Sequence, residues 1–487
     1  MDIRKKNTII KFLNIFFAII FFAIYIIMYS TIDENNFNEL KILKFTLSWI
    51  GILIYFFSIY SWYKINKKIL DLYTIMFTFL MLFNYGQCFL WAFNIHADGE
   101  IGTKQLFNSG IIPNDREIVL AQLLTLINIF MFNLGAIFCY KSQKTNSEER
   151  DRNINEKEYI IYKISKKMSW LVVPITFIQL FNSLIVRIKY GYASLYYGEH
   201  VNTNLIQELF SRLFFVCIFG LLIGSKFKKN TRNFVYITFL LYIIISTICG
   251  DRGGWIFALC ILFFLHNNYV KKISFKSLLL ICVIGVMLLN VISSFVTLRN
   301  ENIDLEAIKE SLRIKKSPIV SEISEMGASM SIQIYLIMKG YNVYPYGNTH
   351  IFSILGIISD KVIKFLGFEY IDLSTWFSKY YLGLKNWGAG FSIVGEALIN
   401  YGPYFSPIIM IILGWITASL VYLGKDTIKE TPLKNMFSLI ACVSLIPIFR
   451  GVLSYNLKVY FYRIVVFYSM YLIFSTVNKK NMKGKKV

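Results

Sequence analysis

The stretch VLAQLLTLINIFMFNLGAIFCY, Val119 to Tyr140, contains no Asp, Glu, Lys or Arg. Wound as a helix at 1.5 Å per residue it reaches about 33 Å, enough to cross the roughly 30 Å hydrocarbon core of a bilayer. Comparable runs recur at about 9–29, 43–63, 69–93, 168–186, 207–225, 234–249, 255–270, 277–298, 403–424, 433–449 and 455–477. Together they predict an all-α polytopic membrane protein with about twelve transmembrane helices. The composition agrees. Of 487 residues, 56% are hydrophobic and 16% charged, with 43 Phe, 32 Tyr and only 8 Pro, and the mean hydropathy is +0.53. A soluble enzyme, a disordered chain and a fibrous protein are excluded.

The first run follows Arg4, Lys5 and Lys6. It is too long for a signal-peptide core, and no small-residue cleavage site follows it, so a retained signal-anchor helix is expected. The net charge of +22 sorts by loop rather than pointing to nucleic acid. From a cytoplasmic N-terminus, the inside set is Lys64–Lys68, 141–167, Lys226–Arg232, Lys271–Lys276, Lys425–Lys434 and Lys479–Lys486, while the first outside loop carries Asp33, Glu34 and Glu39. This positive-inside pattern predicts cytoplasmic termini and an external loop at 299–390. The layout expected is helices 1–9 in 1–298, a folded external domain at 299–390, and helices 10–12 in 391–487, led in by 391–400. Short apolar stretches at 330–338 and 350–366 read as re-entrant or interfacial pieces. The charged segment 142–158 reads as a solvated linker.

Seven cysteines and four histidines form no C-x-x-C pair and no Cys/His cluster, so no disulfide framework or metal site is expected. No phosphate-binding GxxxxGK[ST] loop, G-x-S-x-G elbow or D-x-D pattern is present, which disfavours an ATP-driven pump and a nucleotide-sugar enzyme. The informative residues gather at the predicted outer boundary. Arg252 lies in the tight connection Gly250-Asp251-Arg252-Gly253-Gly254; it reads as an anion-binding arginine or as an interfacial partner of Asp251. Arg299 and Arg450 close two further helices there. Arg463 falls within the last apolar run, where a charge needs a polar cavity or a partner. Arg212 beside Glu208 reads as a local ion pair. Arginines from separate helices suggest a site for a polyanionic headgroup.

Three acid/base candidates share that side: Glu325, His350 and Glu396. If helical, Ser392, Glu396 and Asn400 lie on one face. Glu396 is then a general base or the buried partner of an arginine. Glu325 and His350 are candidates against a plain solvated-loop reading.

Gly250-Asp251-Arg252-Gly253-Gly254 after a helix, Tyr346-Gly347-Asn348-Thr349 in a long outer loop, and Gly390-Phe391-Ser392 through Glu396 to Asn400-Tyr401-Gly402 resemble a known family. It is the Wzy-type polymerases of O-antigen and capsule repeat units. His350 stands where that pattern has an aromatic. The resemblance implies a GT-C-like glycosyltransferase, without cofactor or metal, at the outer face of the bacterial plasma membrane. It implies undecaprenyl-diphosphate-linked oligosaccharide as donor and acceptor, with membrane lipids and a chain-length regulator as candidate partners. Arg252, Arg299, Arg450 and Arg463 would hold the diphosphate, Ser392 and Asn400 would bind the substrate beside Glu396, and Trp376 and Trp387 would stack on sugars or anchor the loop. Two alternatives stand beside it. An O-antigen-ligase-like transferase would differ in a deletion strain, which would accumulate lipid-linked polymer instead of single repeat units. A lipid-linked oligosaccharide flippase would carry its charge deeper in the bundle.

Overall fold

The computed structural model describes residues 3–32, 37–139, 151–190, 205–251, 253–272, 317–384, 388–422 and 431–483. Among these residues it is 81% helical without strands, the all-α architecture expected. In chain order the helices are α1 (Ile3–Thr31), α2 (Phe37–Asn66), α3 (Leu72–Trp91), α4 (Asp115–Cys139), α5 (Asp151–Tyr190), α6 (Leu205–Ser211), α7 (Phe214–Gly224), α8 (Lys229–Ile248) and α9 (Gly254–Tyr269). Then follow α10 (Pro318–Gly327), α11 (Met330–Lys339), α12 (Thr349–Leu355), α13 (Asp360–Phe365), α14 (Ile393–Val421), α15 (Pro432–Leu445) and α16 (Leu453–Lys483).

Ten segments among the described residues are long and apolar enough to cross a membrane. Of the twelve runs read from the sequence, 255–270 forms α9, which at 16 residues is short for a span, and 277–298 lies outside the described residues. The stretches at 330–338 and 350–366 are short helices, not spans. The linker reading of 142–158 fails for its second half. Residues from Asp151 onward are already the first turns of α5, where Glu158 is buried and paired with Lys226 at 2.9 Å.

The chain divides into two compact units, one of Met1–Gln143, Ile319–Lys425 and Leu445–Lys458, the other of Lys144–Pro318, Asp426–Ser444 and Val459–Val487. The first is built around α4, buried on every side from Glu117 to Ile137 and packed by α1, α2, α3, α11 and α14. An all-round apolar sequence such as Val119–Tyr140 suits that central place. The closest approach is to α14: a Cβ on Gly414 would lie 1.9 Å from the Phe132 carbonyl oxygen, and one on Gly135 would lie 1.9 Å from that of Ile411. Small residues let helix backbones touch where burial from water cannot drive association.

α14 is two half-helices in one. Gly402 breaks it with φ +67° and Pro403 follows, a conformation open to glycine and a residue suited to restart a helix. Pro407 has no N–H for the carbonyl of Pro403. The buried Tyr25 hydroxyl of α1 donates to that carbonyl instead, at 3.0 Å.

In the second unit α5 packs against α6, α7 and α8. Gly220 and Gly224 of α7 leave room for Ser165 and for the Tyr162 backbone of α5.

Candidate functional site

The site grows from the start of α14. Ser392 adopts extended backbone, and its Oγ accepts the Gly395 N–H at 2.9 Å, the N-cap that a serine before an apolar helix provides. One turn on, Glu396 is fully buried. Its Oε1 accepts the Thr349 hydroxyl at 2.7 Å and its Oε2 accepts the Leu453 N–H at 2.8 Å. A further turn on, Asn400 closes the network. Its Nδ2 donates to Thr349 Oγ1 and to the Glu396 carbonyl, both at 2.8 Å, and its Oδ1 accepts the Thr349 N–H at 2.8 Å.

Thr349 is placed by Asn348, whose side chain caps α12 by accepting the N–H groups of His350 and Ile351. Leu453 is the first residue of α16, so the Glu396 carboxylate sits at the positive end of a helix, where negative charge is stabilised. The loop motif around Thr349, the segment Ser392–Asn400 and the start of the last helix therefore meet at one carboxylate. The shared face of Glu396 and Asn400 was legible from their spacing. Their partner Thr349 and the Leu453 amide were not.

More of the segment between α11 and α14 docks on the same end of α16. Ser454 Oγ donates to Asp372 Oδ1 at 2.6 Å, Asp372 caps the turn Leu373–Thr375, and Lys458 pairs with Asp360. Tyr344 donates to the Ile371 carbonyl at 2.6 Å and meets Trp376 edge-on at 5.1 Å. Burial foremost, with Tyr370 and Asp372 beside it, raises the Tyr344 hydroxyl above its ordinary pKa and keeps it a neutral donor. Asp372 escaped the sequence reading, although an Asp two residues before Ser374 and three before Thr375 is an ordinary cap signal.

Arg450 ends the short helical turn Ile446–Arg450, which Asn84 fixes by donating to the Phe449 carbonyl at 3.0 Å. Its guanidinium lies 3.9 Å from Glu325 and 6.0 Å from the Phe83 ring centroid, and both charged side chains are nearly half exposed. The structure thus puts an accessible Arg/Glu pair three residues before the amide that Glu396 holds.

His350 is not a solvated loop residue. It is 7% exposed, its ring lies 5.5 Å from that of Tyr401, and its buried Nε2 has no hydrogen-bond partner. Burial lowers its pKa to about 4, so the imidazole is neutral at pH 7. The unfolded chain, with a pKa near 6.5, takes up this proton earlier, so stability is full above about pH 6.5 and falls as the pH drops toward 4. The loss at His350 amounts to about 3 kcal/mol across that window. His350→Phe should flatten this part of the stability profile between pH 4 and 7 in thermal unfolding of the detergent-purified protein; an unchanged slope would show that His350 does not carry it.

Arg463 belongs to the second unit. It is buried, with Nε donating to the Arg212 carbonyl and Nη1 to Ser444 Oγ, both at 2.8 Å. Arg212 pairs with Glu208 as its spacing suggested. Arg252, Arg299 and Trp387 lie outside the described residues. Next to Arg252 in the chain, Asp251 Oδ1 accepts the N–H groups of Gly253 and Gly254 at 3.1 and 3.3 Å.

No curated protein and no solved structure matches this sequence. A family model does, over residues 11–481. It takes in all three segments that meet at Glu396, and by that match the chain belongs to the O-antigen polysaccharide polymerase Wzy family.

Proposed function

We propose that this repeat-unit polymerase joins oligosaccharides carried on undecaprenyl diphosphate, at the outer face of the bacterial plasma membrane and without a metal. The observation that supports the reading best is the convergence of Thr349, Asn400 and Leu453 on Glu396, because it joins the Tyr346–Thr349 motif to α14 and to the start of α16, three residues after Arg450. The Lys/Arg asymmetry of the loops supports cytoplasmic termini and an external 299–390 domain between the two helical portions.

In this reading Arg252, Arg299 and Arg450 act on the donor diphosphate. An acceptor sugar hydroxyl attacks the anomeric carbon at the reducing end of the donor glycan. The bond from that carbon to the diphosphate oxygen breaks, and the lipid diphosphate leaves with the electron pair. The arginines compensate the growing charge. The hydroxyl proton passes to a carboxylate, and Glu325 is the accessible one beside Arg450. Glu396, buried and engaged at both oxygens, positions these parts. Neutral His350 serves as a hydrogen-bond acceptor, and Trp387 stacks on a sugar.

The test is reconstitution. Purified protein given a synthetic lipid-linked repeat unit should make a ladder of longer chains equally with and without EDTA. Arg252→Lys keeps the charge but loses the planar fork, and should slow turnover about tenfold or more. Activity abolished by EDTA would overturn the metal-free mechanism, and normal ladders from Arg252→Ala would overturn the arginine assignment.

A further inference from the structure

The second unit carries a groove of about 430 Å³ between α5, α7 and α8 that the polymerase chemistry does not use. Its lining changes character along its length. Lys166, Asn230 and Thr231 line one end, and Trp170, Pro174 and Phe234 continue it. Lys166 and Pro174 are eight residues apart on α5, about 12 Å along the axis. The groove therefore has a polar, cationic end and an apolar slot, on the scale of a lipid headgroup and the first part of its acyl chain.

Charge selects the occupant further. Residues 159–190 contain no Asp or Glu but include Lys163, Lys166 and Lys167, and residues 226–234 have no acid but carry Lys228, Lys229 and Arg232 beside Lys226, which Glu158 neutralises. Lys166, Lys167 and Trp170 are exposed, a Lys/Trp combination typical of a membrane–water boundary. Pro174 supplies no N–H to the Trp170 carbonyl one turn back. The floor is firm, because α7 meets α5 with backbone close to backbone at Gly224 and Tyr162. An apolar slot alone would take any acyl chain; the net positive end, with Lys166 exposed, adds a demand for a phosphate without a compensating cation.

We infer that this groove binds an anionic phospholipid, with its phosphate at Lys166, Asn230 and Thr231 and an acyl chain along Trp170, Pro174 and Phe234. The test uses the full chain in neutral detergent and measures lipid retention by native mass spectrometry together with thermal unfolding. Phosphatidylglycerol should be retained and should raise the unfolding temperature, whereas phosphatidylcholine and inorganic phosphate should do neither. Lys166→Glu should weaken phosphatidylglycerol retention about tenfold. Phe234→Glu, which places a carboxylate in the acyl slot, should do the same, while Lys167→Glu on the adjoining face should change it little. Equal retention of phosphatidylcholine would reduce the groove to a detergent-like apolar surface, and an equal effect of inorganic phosphate would make it a simple anion site. Either result, or unchanged retention in both groove variants, overturns the inference.

Discussion

Glu396→Gln should reduce polymer synthesis a hundredfold or more while the protein still accumulates in the membrane. The carboxylate accepts one hydrogen bond at each oxygen, from Thr349 and from the Leu453 amide. An amide has one acceptor and one donor at these places. Its NH2 must face either the Leu453 N–H or a Thr349 Oγ1 that already receives the Asn400 amide. Hydrogen bonds to charged groups contribute about 1.5–3 kcal/mol each, and a displacement of about 1 Å in a positioned site can itself cost a hundredfold in rate. The readout that matters is donor binding. A positioning carboxylate, as the burial indicates, predicts that Glu396→Gln also loses retention of the lipid-linked donor. A general base would leave donor binding intact. Wild-type polymer lengths from the variant would exclude both roles and turn attention to Glu325.

The second large effect is on folding. Gly414→Ala should sharply lower the yield of folded protein, and Gly135→Ala should follow it. The added methyl of the first would sit 1.9 Å from a backbone oxygen of α4, and that of the second 1.9 Å from one of α14. Neither obstacle is a flexible side chain that can swing aside, and α4 is enclosed all round. Overpacking a tight core costs about 1–3 kcal/mol even where side chains can adjust; a backbone-to-backbone clash belongs to the rarer class above about 4 kcal/mol. The measurement is detergent-solubilised yield and unfolding temperature against wild type, and a Gly414→Ala protein matching wild type in both would refute the close crossing.

The spans were legible because helix periodicity and bilayer thickness are properties of a continuous stretch. Val119–Tyr140 announces its helix, and the positions of Ser392, Glu396 and Asn400 announce a shared face. Residue order says much less about which distant groups meet. Thr349 and Leu453 reach Glu396 across 47 and 57 residues, and nothing in either local sequence marks a carboxylate partner. For His350, a short helix capped by Asn348 turns the residue inward from a stretch that reads as loop. Arg463 is a third case. A buried charge asks for a partner, yet the contacts that the fold provides include a neutral backbone carbonyl and a serine hydroxyl, which carry no charge signature to search for.

The bond between Tyr25 and Pro403 bears on how the chain is made. The two residues are 378 positions apart. At about 5–20 residues per second, synthesis of the intervening chain takes roughly 20–75 s. For that interval the first helix is already in the bilayer while the carbonyl it will satisfy does not yet exist. α1 must therefore remain free to slide laterally, or be chaperoned by the insertion machinery, until the second half of α14 arrives. A generic anchor spliced in its place would insert as readily, but would leave the Pro403 carbonyl with only the longer 3.4 Å bond from Ser406 Oγ in a medium that offers no other donor. α1 is thus a late-closing piece of the bundle.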